Sequence, residues 1–236
     1  MKDLIIKYLG RTSETLSYDG SLEDIEKILI HHQINYPFET ITRNFKTDIL
    51  MNPKFEKHFS NFLETRYCGT CFSHHYVLKN VLEYLGYSVF YIFLKPNHCA
   101  IVLDWNNQLF YLDVAYWAPL FKPLPLKENW DIDFPDINVS WRKEENCYNL
   151  IRNGVLVKTW DGLYLDDEEF YRKSQEILSE DSYFKEHLII NRWLDSESFI
   201  LLENSKIKIY NRNSNKKKEF SITHLIAQEL ISKLFI

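Results

Sequence analysis

Glycine and proline are scarce in this sequence, six and seven of 236 residues, which excludes collagen-like and low-complexity character. Cysteine is scarcer still. Four cysteines in a chain of this length do not make a disulfide framework, and their spacing suits a reducing cytoplasm. Long apolar runs are missing too; YSVFYIFL at 87–94 falls far short of a bilayer span. Positive charge is not in excess, and a net charge of −5 removes any electrostatic reason to expect nucleic acid or an anionic membrane as partner. The opening MKDLIIKYLGR sets charge on both sides of a short apolar patch and has no small-residue cleavage site, so no secretory leader is expected. These absences leave a soluble cytoplasmic protein, either one large domain or two to three subdomains around a shared core.

Aromatic side chains are abundant, 16% of residues within an apolar total of 45%, as a well-buried globular protein requires. The first third reads helical. DLIIKYL is closed by Gly10, and Ser21 with Asp24 resembles a capping box ahead of LEDIEKILIHHQ, which Pro37 ends. FEKHFSNFL and the run from Cys71 to Gly86 continue the helical spacing. The character then turns to strand in SVFYIFL, CAIVLDW and LFYLDVAYW, with Asn106-Asn107 as a hairpin turn between the last two. CYNLIR and VLVKTW meet at Asn153-Gly154, the strongest short hairpin signal in the chain. A helix near Asp166–Leu178, strands in HLIINRWL, SFILLEN and KIKIYNR, and a final helix near Thr223–Leu234 complete the expectation. NRNSNKKKEF at 211–220 reads as a polar turn with solvated charge. The fold class is therefore α+β: a helical bundle, an antiparallel sheet or barrel, and an α/β tail.

The stretch RYCGTCFSHHYVLKNVLEYLG at 66–86 admits three chemistries. A zinc site could draw on Cys68, Cys71, His74 or His75, and His98 or Cys99, but NHC does not supply a second ligand pair of ordinary spacing, so no metal is expected. A dithiol couple at CGTC would follow an early strand in a βαβ unit, whereas helix precedes it here. The third chemistry is a cysteine nucleophile: Cys71 lies at a helix start, where the thiolate is favoured. With the hairpin turn at Asn106-Asn107, residues whose numbers sum to about 213 face each other, so Asp113 comes near His98 diagonally. A carboxylate that fixes an imidazole, and an imidazole that stabilises a thiolate, form a triad. His74 and His75 read as solvent-facing or helix-packing, His31-His32 as a helix end, and Cys68 as a second thiol placed for a reversible disulfide with Cys71.

Five segments in order, PFETI at 37–41, CGTCF at 68–72, LEYLGYSV at 82–89, NHCAIVLDWNNQLFYLDVAYW at 97–117 and DSYFKEHLIINRW at 181–193, resemble the arylamine N-acetyltransferase family. The resemblance covers nearly the whole chain. It implies a helical domain at 1–87, a β-barrel domain at 88–165 and an α/β lid at 166–236. It carries the catalytic roles to Cys71, His98 and Asp113, and gives Phe38, Tyr116 and Trp117 a part in the substrate pocket. The implied reaction moves an acyl group from acetyl-CoA or another acyl-CoA through a Cys thioester to an arylamine, hydrazine or arylhydroxylamine, the chemistry of xenobiotic metabolism, in a monomer or homodimer. An amide synthase, a hydrolase with the same triad, and a catalytically silent homologue are the alternatives. Departures from the family pattern cluster at the site: Tyr67-Cys68-Gly69 stands where Arg-Gly-Gly is usual, and Ala115, Tyr116 and Trp117 replace Gly-Phe-Gly.

Overall fold

A computed structural model describes residues 1–10, 20–45, 53–180 and 182–223, together with 229 and 233. The helical third contains α1 (Lys2–Leu9), α2 (Leu22–Asn35), a two-residue strand β1 (Phe38–Glu39), α3 (Ile41–Phe45), α4 (Phe55–Thr65) and α5 (Cys71–Tyr84). Their limits follow local chemistry. Gly10 takes the left-handed conformation that closes α1, and Ser21 Oγ accepts from the Asp24 N–H at 3.2 Å to open α2.

Three antiparallel sheets follow. The first to form along the chain joins β2 (Ser88–Leu94), β3 (His98–Trp105), β4 (Gln108–Leu112) and β5 (Leu124–Pro125). The next contains β6 (Trp130–Phe134), β7 (Ile137–Lys143), β8 (Tyr148–Arg152) and β9 (Val155–Trp160). A short β10 (Tyr164–Leu165) returns to pair with β2, and α6 (Asp167–Glu180) and α7 (Ser182–Glu186) lead to β11 (Ile189–Trp193), β12 (Ser198–Glu203), β13 (Lys206–Asn211) and β14 (Lys216–Ser221). The last four make a sheet with β1, where Phe38 pairs with Asn191. Both expected hairpins are present. Asn106 and Asn107 carry φ of 51° and 61°, and Asn153 and Gly154 carry 51° and 77°, the paired positive values that a two-residue turn needs. Trp105 pairs with Gln108 and Ile101 with Leu112, the register the sequence implies.

Strand β3 is buried on both faces, which explains its unbroken apolar run. Ile101 and Leu103 face a core built from the helices with Tyr8, Ile25, Phe59, Val77 and Val81. Ala100 and Val102 face a second core between the sheets, with Tyr111, Trp141, Leu150, Trp193 and Phe199. Helix α5 spans the seam: Cys71 and Phe72 belong to the sheet core, while Val77, Leu78 and Val81 belong to the helical one.

One expectation needs correction, and of the two readings given for His74 and His75 the helix-packing one holds. Residues 216–221 form the edge strand β14 rather than a turn, all six exposed, with three lysines along an edge where charge discourages further strand pairing. Neither His74 nor His75 faces solvent; both are fully buried in helix packing. The expected C-terminal helix near Thr223–Leu234 lies for the most part outside the described residues.

Candidate active site

The turn into α5 is fixed before Cys71 is reached. Gly69 has φ of +74°, and a Cβ there would approach the Ser73 Cβ to 3.1 Å, so glycine is required. Glu39 clamps this turn. Its N–H donates to the Gly69 carbonyl at 3.0 Å, and its carboxylate accepts from the N–H groups of Gly69 at 2.5 Å and Thr42 at 2.7 Å. Burial raises the Glu39 pKa and these donors oppose the rise. Cys71 is thereby held as the first residue of α5, with its thiol at a helix N-terminus that favours a negative sulfur.

The β3–β4 hairpin delivers the other two residues. His98 begins β3, Asp113 follows β4, and His98 Nε2 donates to Asp113 Oδ2 at 2.7 Å. The Tyr111 hydroxyl donates to the same oxygen at 2.6 Å. The N–H groups of Ala115 and Tyr116 donate to Oδ1 at 2.9 and 3.1 Å. A fully buried carboxylate is thus satisfied on both oxygens. With Nε2 committed to Asp113, Nδ1 is the ring nitrogen left to hydrogen-bond the Cys71 sulfur.

The electrostatics follow from this packing. Hydrogen bonding from the Cys99 thiol comes first, and against the upward push of burial the charge and hydrogen bond of His98 then draw the Cys71 thiol well below its ordinary range. Burial disfavours imidazolium at His98, yet Asp113 and Cys71 together raise it to about 9. Burial likewise opposes the Asp113 carboxylate, and His98 and His75 hold it far below the usual range. All three directions favour a thiolate at Cys71, an imidazolium at His98 and a carboxylate at Asp113.

A second histidine supports the first. His75 Nδ1 donates to the Cys71 carbonyl at 2.8 Å, and its Nε2 lies 3.3 Å from both Asp113 Oδ1 and the Val114 N. His75 therefore ties the first turn of α5 to the Asp113 loop. Sequence reasoning missed it although the signal was present: residues 71 and 75 are i and i+4 and share a helix face. Tyr111 was legible in the same way, since alternate residues of β4 share a face with Asp113. Cys68, by contrast, offers its thiol to the Arg66 and Phe62 carbonyls at 3.4 and 3.9 Å within the helical core, where burial pushes it up. Cys71 belongs to the sheet core instead, and both thiols are free.

Cys71 and His98 open onto a cleft of about 290 Å3. Phe38 from β1, Ala115, Tyr116 and Trp117 from the loop after β4, and Phe184 from α7 form its apolar walls. The structure thus brings the three pocket residues named from the sequence to the same cleft as Cys71 and His98. Asn97, Arg152, Val157 and Lys158, which the sequence did not single out, close the remaining side. A bridge between Lys95 and Thr159 sets the β8–β9 hairpin against the strand ahead of His98. Among the described residues no group of three His, Cys, Asp or Glu is arranged to hold a metal ion, and no helix is long and apolar enough to cross a membrane.

A family model described as N-acetyltransferase matches residues 21–235. No curated protein sequence matches the chain. Solved structures similar to it include an arylamine N-acetyltransferase from Salmonella typhimurium, with a TM-score of 0.83 at 14% identity, covering 99% of this chain and 89% of that one. Arylamine N-acetyltransferase C from Bacillus anthracis gives 0.81 at 16%, covering 99% and 97%. An arylamine N-acetyltransferase from Bacillus cereus, described as having a Cys-His-Glu catalytic triad, gives 0.79 at 18%, covering 99% and 96%. The ordered motifs, the family match over most of the length and the shared α+β fold agree: the chain belongs to the arylamine N-acetyltransferase family and is an acyltransferase.

Proposed function

We propose that the enzyme transfers an acetyl group from acetyl-CoA, through a thioester on Cys71, to an arylamine, hydrazine or arylhydroxylamine in a ping-pong cycle. The observation that carries this reading is the meeting of Cys71, His98 and Asp113 at one cleft, with aromatic walls suited to an aryl acceptor. In the first half-reaction the Cys71 thiolate attacks the thioester carbonyl. The C–S bond to coenzyme A breaks, and His98 gives its proton to the departing thiolate. The Cys71 N–H at the start of α5 is the candidate donor to the carbonyl oxygen as it becomes negative.

Acylation removes the thiolate that helped hold the proton on His98, so the imidazole is then neutral enough to act as a base. The amine nitrogen attacks the acyl carbon, His98 takes the amine proton, and the Cys71 thiolate leaves, which restores the starting ion pair. Asp113 keeps the ring in the tautomer that presents Nδ1 to the sulfur and the incoming nitrogen. Phe184 on the cleft wall supports a lid role for the segment 166–236, and the four unpaired cysteines support a reducing cytoplasmic setting.

Initial rates test the cycle. With acetyl-CoA varied at several fixed arylamine concentrations, double-reciprocal lines should run parallel. Lines that converge, or release of coenzyme A that acceptor does not speed, would argue for a ternary complex or for hydrolysis.

A further inference from the structure

Acidic residues outnumber basic ones in this protein, 33 to 28, yet among the described residues no carboxylate lines the cleft, while Arg152 and Lys158 do. Arg152 ends β8 at the tip of the β8–β9 hairpin, and Lys158 lies further along β9. The Arg152 guanidinium sits over the Trp117 ring at 5.5 Å and the Tyr116 ring at 5.8 Å. The two rings, with a side-chain hydrogen bond to Tyr116, place a planar cation at the cleft wall. Among the described residues Arg152 has no carboxylate partner. The Lys158 ammonium donates to Asn97 Oδ1, beside the nucleophile's histidine. Local charge is therefore opposite in sign to the charge of the whole protein, in a cleft whose apolar walls lower screening.

We propose that Arg152, with Lys158, forms an anion subsite that takes a carboxylate carried at the reacting end of the substrate. The inference rests on the acyl-transfer reading of this cleft and deepens it. The phosphates of coenzyme A lie beyond the pantetheine arm, remote from the thioester. A cation lining the same 290 Å3 cleft as Cys71 is placed instead for a group close to the reacting carbonyl or amine. A guanidinium presents parallel N–H groups that a carboxylate accepts in pairs, which sets the orientation of a small ring in an otherwise apolar cleft. The tryptophan that replaces the family's glycine at position 117 is, in this view, the platform for that cation.

Two small alkylating agents test the subsite without requiring turnover. In both, the Cys71 thiolate forms a C–S bond and iodide leaves; iodoacetate carries a carboxylate and iodoacetamide does not. The ratio of iodoacetate to iodoacetamide rates at Cys71 should exceed that of a free thiol at the same pH. It should fall roughly tenfold in Arg152→Gln and with rising salt. Lys143→Gln, an equal loss of charge at the exposed end of the neighbouring strand, should leave it unchanged. An unchanged ratio in Arg152→Gln, or an equal fall in Lys143→Gln, would overturn the subsite.

Transfer assays then identify which substrate bears the carboxylate. With acetyl-CoA as donor, 4-aminobenzoate is compared with its methyl ester; with the ester as acceptor, succinyl-CoA is compared with butyryl-CoA. Preference for the anion that Arg152→Gln abolishes places it on the acceptor in the first arm and on the acyl group in the second. No preference in either arm, or an effect confined to the KM for acetyl-CoA, would overturn the proposal. A raised alkylation ratio that Arg152→Gln abolishes, in a protein that transfers nothing, would instead sink the acyl-transfer reading and leave the subsite standing.

Discussion

His75 and Asp113 lie 3.3 Å apart with neither side chain exposed, so the carboxylate of the site is shared between two imidazoles rather than one. The two play different parts. His98 reaches the sulfur, while His75 donates to the Cys71 carbonyl at 2.8 Å and so sets where the first turn of α5 sits relative to Asp113.

Replacing His75 with Ala should therefore cost both stability and rate. The Cys71 carbonyl loses a buried donor, worth about 1–3 kcal/mol. A displaced nucleophile of this kind lowers kcat/KM roughly 10²-fold. Urea midpoints and steady-state kinetics check the two losses. The Cys71 alkylation profile adds a readout that general loosening would not move, because a shifted thiolate pKa reports altered geometry at the sulfur. Wild-type kinetics in a merely destabilised variant would deny His75 a positioning role.

Thiolate formation at Cys71 has a definite pH window. The thiol is drawn well below its ordinary range by Cys99 and His98, and His98 is raised to about 9. Below the lowered thiol pKa the sulfur is protonated; above about 9 the imidazolium is lost; between them the ion pair persists. Alkylation by iodoacetamide should accordingly be on its plateau at neutral pH. In Asp113→Asn the His98 proton is held less firmly, so the thiol should titrate closer to an ordinary cysteine, and transfer should fall roughly 10³–10⁴-fold. A wild-type alkylation rate that still climbs steeply through pH 8–9 like a free thiol would contradict the pair.

Buried histidines should make the fold sensitive to mild acid. Burial is the first cause in each case: it holds His32 well below 6.5, lowers His58 to about 4, and lowers His74 to about 3. His32 Nε2 and His74 Nδ1 are bonded to each other at 2.7 Å, and His32 also takes the Tyr8 hydroxyl at 2.5 Å, so a proton there finds little room. Because the folded values lie below the unfolded one, the unfolded chain binds more protons as pH falls from 6.5. Stability is then full above 6.5 and declines toward 4, by about 1.4 kcal/mol per pH unit for each such histidine. Glu39, raised by burial, works in the opposite sense. Urea midpoints between pH 7 and 5 should drop, and His58→Gln should reduce the slope; a flat profile would contradict the buried neutral imidazoles.

Much of this site was written in local sequence. The hairpin turns at Asn106-Asn107 and Asn153-Gly154 fix strand register, and register alone brings Asp113 toward His98. The Ser21 cap and the Gly10 stop are one-residue signals that the structure honours. What escaped are contacts between elements with no shared periodicity. β1 is two residues long, too short for any strand pattern, yet its pairing with β11 places Phe38 in the cleft and Glu39 against Gly69. Arg152 ends an ordinary strand and precedes an ordinary turn; only the packing of one sheet on the next gives it Trp117 for a neighbour. The lysines of β14 hid a strand because all six of its residues are exposed, which leaves no apolar alternation to read.

The central claim is a covalent acyl group on Cys71. Incubating the protein with acetyl-CoA in the absence of acceptor and digesting it for mass spectrometry tests that claim most directly. One acetyl group is expected on the peptide containing Cys71, removed by addition of an arylamine and absent from Cys71→Ala. No adduct at Cys71, or full transfer by Cys71→Ala, would contradict it.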